Sequence, residues 1–136
     1  MKDVLLDTNV LADFFAGDPE TVEAFQRSRT LAINTVVLGE LLGGFALGTR
    51  AGANRQLLSR FLSSPRVKVL AMGAETAEHY ADVYTQLRRK GRPIPSNDMW
   101  VAASAREHGL VLLTRDFHFR EIEGLLTASS LDQLLP

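Results

Sequence analysis

The amino-acid sequence predicts an α/β fold built on a mainly parallel sheet, and three observations carry that reading. Short apolar runs bounded by polar residues recur along the chain, segments with helical patterning separate them, and helix start and stop residues stand where the pattern changes. At 136 residues the chain suits one domain, 1–136, and buries roughly two thirds of the surface that its unfolded form exposes. Hydrophobic residues make up 46% and charged residues 23%, a globular balance that argues against disorder and against a membrane protein.

The elements follow in order. Val4 to Leu6 reads as the first strand; it stops at Asp7-Thr8-Asn9, after which apolar residues return at Val10, Leu11, Phe14 and Phe15. Asp18-Pro19 pairs an N-cap with a first-turn proline and opens a helix running to about Ser28. Leu31 to Ile33 is the second strand, Thr35 caps a helix through Leu47, and another helix covers Arg50 to Leu62. Val67 to Leu70 is the third strand, and Ala74 to Lys90 is a long helix that Gly91 stops. After the loop Lys90 to Pro95, KGRPIP, Ser96 caps a helix from Asn97 to His108, with Gly109 just beyond. Leu110 to Leu113 is the fourth strand, and a weaker one lies near Leu126 to Ser129. The chain has no internal repeat, low-complexity tract or linker.

A formal net charge of −1 gives no strong global field, so nucleic-acid binding has to rely on a local basic patch. Without cysteine there is no disulfide framework and no thiolate metal site. The first apolar run is interrupted by Asp7, and no apolar stretch reaches the length that spans a bilayer. The expected protein is soluble and cytoplasmic.

Four carboxylates stand where chemistry is expected. Asp7 follows the first strand and Asp116 the fourth, at the end of a parallel sheet where ligands bind. Glu40 sits in TVVLGELLGGF, a helix apolar on most faces, and is not expected to face bulk water; Asp98 opens the alanine-rich helix NDMWVAASA. Each has a plainer reading: Asp7 and Asp98 as caps of helix amides, Asp116 as part of a strand exit, Glu40 as the partner of an arginine. Gathered in one cleft, however, the four repel one another unless a cation sits among them. Oxygen ligands without cysteine and without a plausible histidine pair favour Mg²⁺ or Mn²⁺ over zinc, which points to metal-assisted phosphodiester hydrolysis.

These residues, Asp7-Thr8-Asn9, Thr35 to Glu40, Asn97-Asp98 and Thr114-Arg115-Asp116 in their contexts, resemble the PIN domain, in particular the VapC-type toxins of toxin-antitoxin pairs. The resemblance runs from near the N-terminus to about Leu125. It implies a three-layer α/β/α sandwich, endoribonuclease action dependent on Mg²⁺ with Mn²⁺ as substitute, a cognate antitoxin protein as partner, and a homodimer. It also implies roles: Asp7, Glu40, Asp98 and Asp116 match the acidic quartet that binds metal or activates water, with Thr8, Asn9, Asn97 and Thr114 in support.

Arg88, Arg89, Lys90 and Arg92 form the densest basic run, either a phosphate-contacting patch or a solvated helix end complementing the macrodipole. Arg115, beside Asp116, is a candidate to contact substrate phosphate or brace a carboxylate. His118, between Phe117 and Phe119, reads as a packing or surface residue more readily than as a proton carrier. Phe14, Phe15, Phe45 and Trp100 read as core or interface. Gly43-Gly44 permits close approach by another backbone.

Two rivals remain. A receiver-like phosphoacceptor also gathers aspartates and Mg²⁺ at strand ends, but here Glu40 and Asp98 come from helices and no lysine follows the fourth strand where such a pocket needs one. A non-cleaving PIN-like module that binds RNA or protein has no use for four clustered acids unless metal is present.

Overall fold

A computed structural model describes residues 1–129 and 133; the rest of the expected 1–136 domain, residues 130–132 and 134–136, lies outside the described residues. The elements run β1 (Asp3–Leu6), α1 (Thr8–Phe15), α2 (Pro19–Gln26), β2 (Thr30–Asn34), α3 (Thr35–Leu47), α4 (Ala51–Leu62), β3 (Val67–Leu70), α5 (Ala74–Lys90), α6 (Ser96–His108), β4 (Val111–Leu113), a 3₁₀ turn (Phe117–Glu121) and β5 (Leu126–Ala128). The five strands form one sheet in the order β3-β2-β1-β4-β5, parallel throughout. Helices cover it in the three-layer arrangement expected. Among the described residues no helix is long and apolar enough to cross a membrane.

The central strands are continuous apolar runs because helices cover both their faces. Val4, Leu5 and Leu6 of β1 are wholly buried, as is Leu112 of β4; each such side chain contributes about 1.5–3 kcal/mol of hydrophobic stabilisation. The edge strand β3 differs: Lys68 and Val69 are exposed, and a lysine there discourages pairing with another chain. Phe14 stacks on Phe25 with ring centroids 4.4 Å apart, and Phe61 lies 5.6 Å from Phe14. That cluster fastens α1, α2 and α4 together, the core role expected for Phe14.

Two expected caps are corrected. The cap of α3 is Asn34 rather than Thr35: its Oδ1 accepts from the Val37 amide at 3.0 Å. Its Nδ2 donates to Ser104 Oγ at 3.0 Å and to the Trp100 carbonyl at 3.3 Å, so one buried amide ties α3 to α6. Ser96 is the first residue of α6 rather than its cap, a place held by Pro95 with no side-chain hydrogen bond. Gly91 (φ 66°) and Gly109 (φ 63°) end α5 and α6 in the left-handed conformation, which costs glycine little.

The strand order decides where a ligand goes. From β1 the chain builds outward through β2 to β3, then returns to the other side of β1 for β4 and β5. The order reverses between β1 and β4, and the crevice beyond their carboxyl ends is where open parallel sheets bind ligands. Asp7 and Thr114 are the first residues past those two strands.

Candidate metal centre

Asp7 extends the sheet by one hydrogen bond, from its amide to the Leu113 carbonyl at 3.0 Å, and caps α1. Its side chain is buried. Oδ1 accepts from the Thr8 amide at 2.9 Å and Oδ2 from the Thr114 hydroxyl at 2.7 Å. Thr114 Oγ1 in turn accepts from the Asp116 amide at 3.1 Å, so one hydroxyl links the exits of β1 and β4. Asp7 is therefore both helix cap and site residue.

The other three acids reach the same crevice from separate elements. Glu40, midway along α3, receives Thr8 Oγ1 on Oε1 at 2.9 Å and Asn97 Nδ2 on Oε2 at 2.8 Å. It is exposed, which corrects the expectation that it avoids bulk water; its partners are a threonine and an asparagine, not an arginine. Asp98, third residue of α6, does not cap the helix: its Oδ2 lies 3.1 Å from His118 Nε2. Asp116 accepts from Asn9 Nδ2 at 3.4 Å, and Asn9 Oδ1 receives the Arg115 amide at 3.4 Å. The supporting residues Thr8, Asn9, Asn97 and Thr114 thus all meet the acids.

His118 is the residue that pattern reading undervalued. One ligand atom each from Asp98, Asp116 and His118 lie within 4.8 Å of one another. The Phe117–Glu121 turn brings the imidazole there, with the wholly buried Phe119 as its anchor. Nε2 is buried and lacks the alignment of a hydrogen bond despite its nearness to Asp98. A signal existed in the two-residue spacing from Asp116 to His118, which places two ligand types on one turn after a strand.

Burial pushes the Asp7 carboxyl above its ordinary range; the bonds from Thr114 and Thr8 oppose this, and the charges of Asp116 and Glu40 add to it. Asp98 is pushed up to about 6, first by burial and then by the charge of Asp7, with His118 opposing and Asp116 and Glu40 adding. For carboxylates that raise one another in this way, a nearby cation favours the ionised forms. Their oxygens, with one imidazole nitrogen, suit a divalent cation.

The basic residues stand around the acids rather than among them. Arg115 turns from the acids: Nε is 2.7 Å from Asp13 Oδ2, and Nη2 is 3.7 Å from Asp18 Oδ2 and 3.0 Å from Thr21 Oγ1. It braces carboxylates of α1 and the α2 cap. Arg88 lies over the Tyr84 ring at 5.0 Å, and Lys90 donates to the Glu121 carbonyl. Arg89 is exposed at the end of α5, and Arg92 lines a groove that reaches His118.

Comparison with known proteins agrees with this geometry. The PIN domain model matches residues 4–125. The chain is 31% identical over 130 residues to the tRNA(fMet)-specific endonuclease VapC of Shigella flexneri, covering 93% of this chain and 97% of that protein. It is 32% identical over 120 residues to ribonuclease VapC4 of Mycobacterium tuberculosis, covering 85% and 88%. Among solved structures, DNA-bound VapBC from Salmonella typhimurium superposes with a TM-score of 0.84 at 28% identity, covering 94% of this chain and 98% of that one. With the sheet order, the acids past β1 and β4 and these relatives in agreement, the chain belongs to the PIN domain family, among its VapC ribonucleases.

Proposed function

We propose that the protein is a Mg²⁺-dependent endoribonuclease, with Mn²⁺ as substitute, acting in the cytoplasm as the toxin of a VapBC-type toxin-antitoxin pair. One observation carries the reading: Asp7, Glu40, Asp98 and Asp116 come from four separate elements into the crevice where the strand order reverses. The Salmonella relative was solved as a VapBC assembly, which supports an antitoxin partner here.

Asp98 and Asp116, with Asp7 and the His118 imidazole beside them, would hold a divalent cation, which would supply positive charge for a phosphate and would acidify water. The chain's own residues do the rest. The Thr114 hydroxyl and the Thr8 amide favour the ionised form of Asp7 and so oppose part of the cost of its burial. Thr8 and Asn97 each occupy one oxygen of Glu40, leaving the remaining lone pairs of that exposed carboxylate to orient water at the mouth of the crevice. Asn9 keeps Asp116 beside the β4 exit.

The test is cleavage of a mixed pool of structured RNA by antitoxin-free protein, in Mg²⁺ or Mn²⁺ against EDTA, beside folded Asp7→Asn and Asp98→Asn variants. Metal-dependent cutting lost in both variants is the expected result. Cutting that persists in EDTA, or in either variant, overturns the mechanism. RNA binding that ignores metal and survives Asp7→Asn, without cutting, means a binding module instead.

A further inference from the structure

Beside the acids runs a second feature that the hydrolytic chemistry does not use. Arg92, Pro93, Ile94, Phe117, His118 and Glu121 line a groove of about 290 Å³. It opens on the imidazole that stands 3.1 Å from Asp98. Phe117 is 64% exposed, although its neighbour Phe119 in the same turn is wholly buried. An exposed aromatic ring next to a reactive centre gains nothing from the core, so its surface is available to a ligand. The Arg120 guanidinium lies 4.4 Å from the Phe117 ring centroid, which steadies the ring and adds positive charge. Arg92 stands on the wall, and Lys90 reaches the Glu121 carbonyl; against these cations the groove sets one carboxylate, Glu121.

We infer that this groove is a nucleotide subsite: an unpaired RNA base next to the scissile phosphate stacks on Phe117 while Arg92 and Arg120 meet the adjoining phosphates. The inference rests on the ribonuclease reading and names the feature of the substrate that the site selects. Every base has a π-face, so a single aromatic platform favours an unstacked base without choosing its identity. Base-paired RNA keeps its faces covered and cannot use the platform. A protein helix is a poorer occupant, since helix grooves offer anchor points spaced over two turns, whereas this groove is short, cationic and continuous with the acids.

The test reads binding apart from hydrolysis. Single-stranded RNA oligonucleotides carrying 2-aminopurine at successive positions are titrated in EDTA with wild type, Phe117→Ala and Phe117→Trp, each checked for an unchanged melting curve. The expected result is quenching at one position, affinity lowered roughly five- to a hundredfold in Phe117→Ala, and affinity kept in Phe117→Trp. With an abasic residue at that position, wild type and Phe117→Ala are expected to bind alike. Equal affinity of wild type and Phe117→Ala for the intact strand, or no binding by folded wild type in EDTA and in Ca²⁺ alike, overturns the inference. Bound RNA that wild type fails to cut in Mg²⁺ or Mn²⁺ removes the ribonuclease reading instead and leaves the base site standing.

Discussion

Replacing Asp98 by asparagine should stabilise the metal-free protein at neutral pH while weakening its hold on a divalent cation. Burial and the charge of Asp7 raise this carboxyl from 3.8 to about 6, with His118 opposing. By linkage such a shift amounts to at most about 3 kcal/mol. The side chain is 14% exposed at the edge of an open crevice, and solvent screening reduces the expected figure to about 1–2 kcal/mol. The sign follows from proton affinity: the folded chain holds this proton more tightly than the unfolded chain. Stability is full below 3.8 and is lost as the pH rises through about 6. Asparagine has no such loss, so at about pH 7.5 in EDTA the variant should melt about 3–8 °C above wild type, and near pH 4 the two should converge. In Mn²⁺ the order should reverse, because the wild type gains stability by binding the ion. Thermal melts followed by circular dichroism across this pH range decide the matter. A variant no more stable than wild type at pH 7.5 in EDTA, or a gap independent of pH, would refute the electrostatic account of the crevice.

Three further changes probe separate parts of the argument. Thr114→Val removes the hydroxyl that donates to Asp7 and accepts from the Asp116 amide; a bond to a charged group is worth about 1.5–3 kcal/mol, so Mn²⁺ affinity by calorimetry should fall about tenfold or more, and unchanged affinity would show that Thr114 does not hold the acids in place. Asn34→Ala takes away the α3 cap and the link to Ser104 and Trp100; urea denaturation should report a loss of about 2–4 kcal/mol, and a loss below about 1 would mean that the two helices are held by packing alone. Arg115→Gln should leave RNA affinity within about twofold, since its guanidinium is committed to Asp13 and Asp18 in exposed pairs of small energetic weight; a larger loss in filter binding would return Arg115 to the RNA surface.

Particular elements show what local pattern conveys. The bounds of β3 and α5 fall where the run Val67 to Leu70 and the Gly91 stop indicate, because β-branched residues favour the extended chain and a left-handed helix terminus favours glycine. Helix α1 leaves no such mark: Thr8–Phe15 spans eight residues, too short for its apolar positions to establish a helical period. The 3₁₀ turn at Phe117–Glu121 has no period at all, so local pattern does not place His118 at the site. Thr35 and Ser96 have the chemistry of caps, yet Asn34 and Pro95 hold those places; in the case of Asn34, a side chain that also bonds α6 is favoured over one that serves a single helix.

The sequence by itself determined the kind of fold and the chemistry of the candidate centre. Alternating strands and helices require a parallel sheet with crossovers, and four acids in those contexts, without cysteine, call for a hard cation. Only the tertiary structure decided which groups meet. The strand order placed Asp7 beside Thr114, the Asn34 amide tied the helix of Glu40 to that of Asp98, and a short turn brought His118 to Asp98 while turning Arg115 toward Asp13. These contacts join residues far apart in the chain, and no local period or propensity encodes them; they follow from how the apolar faces of whole elements pack.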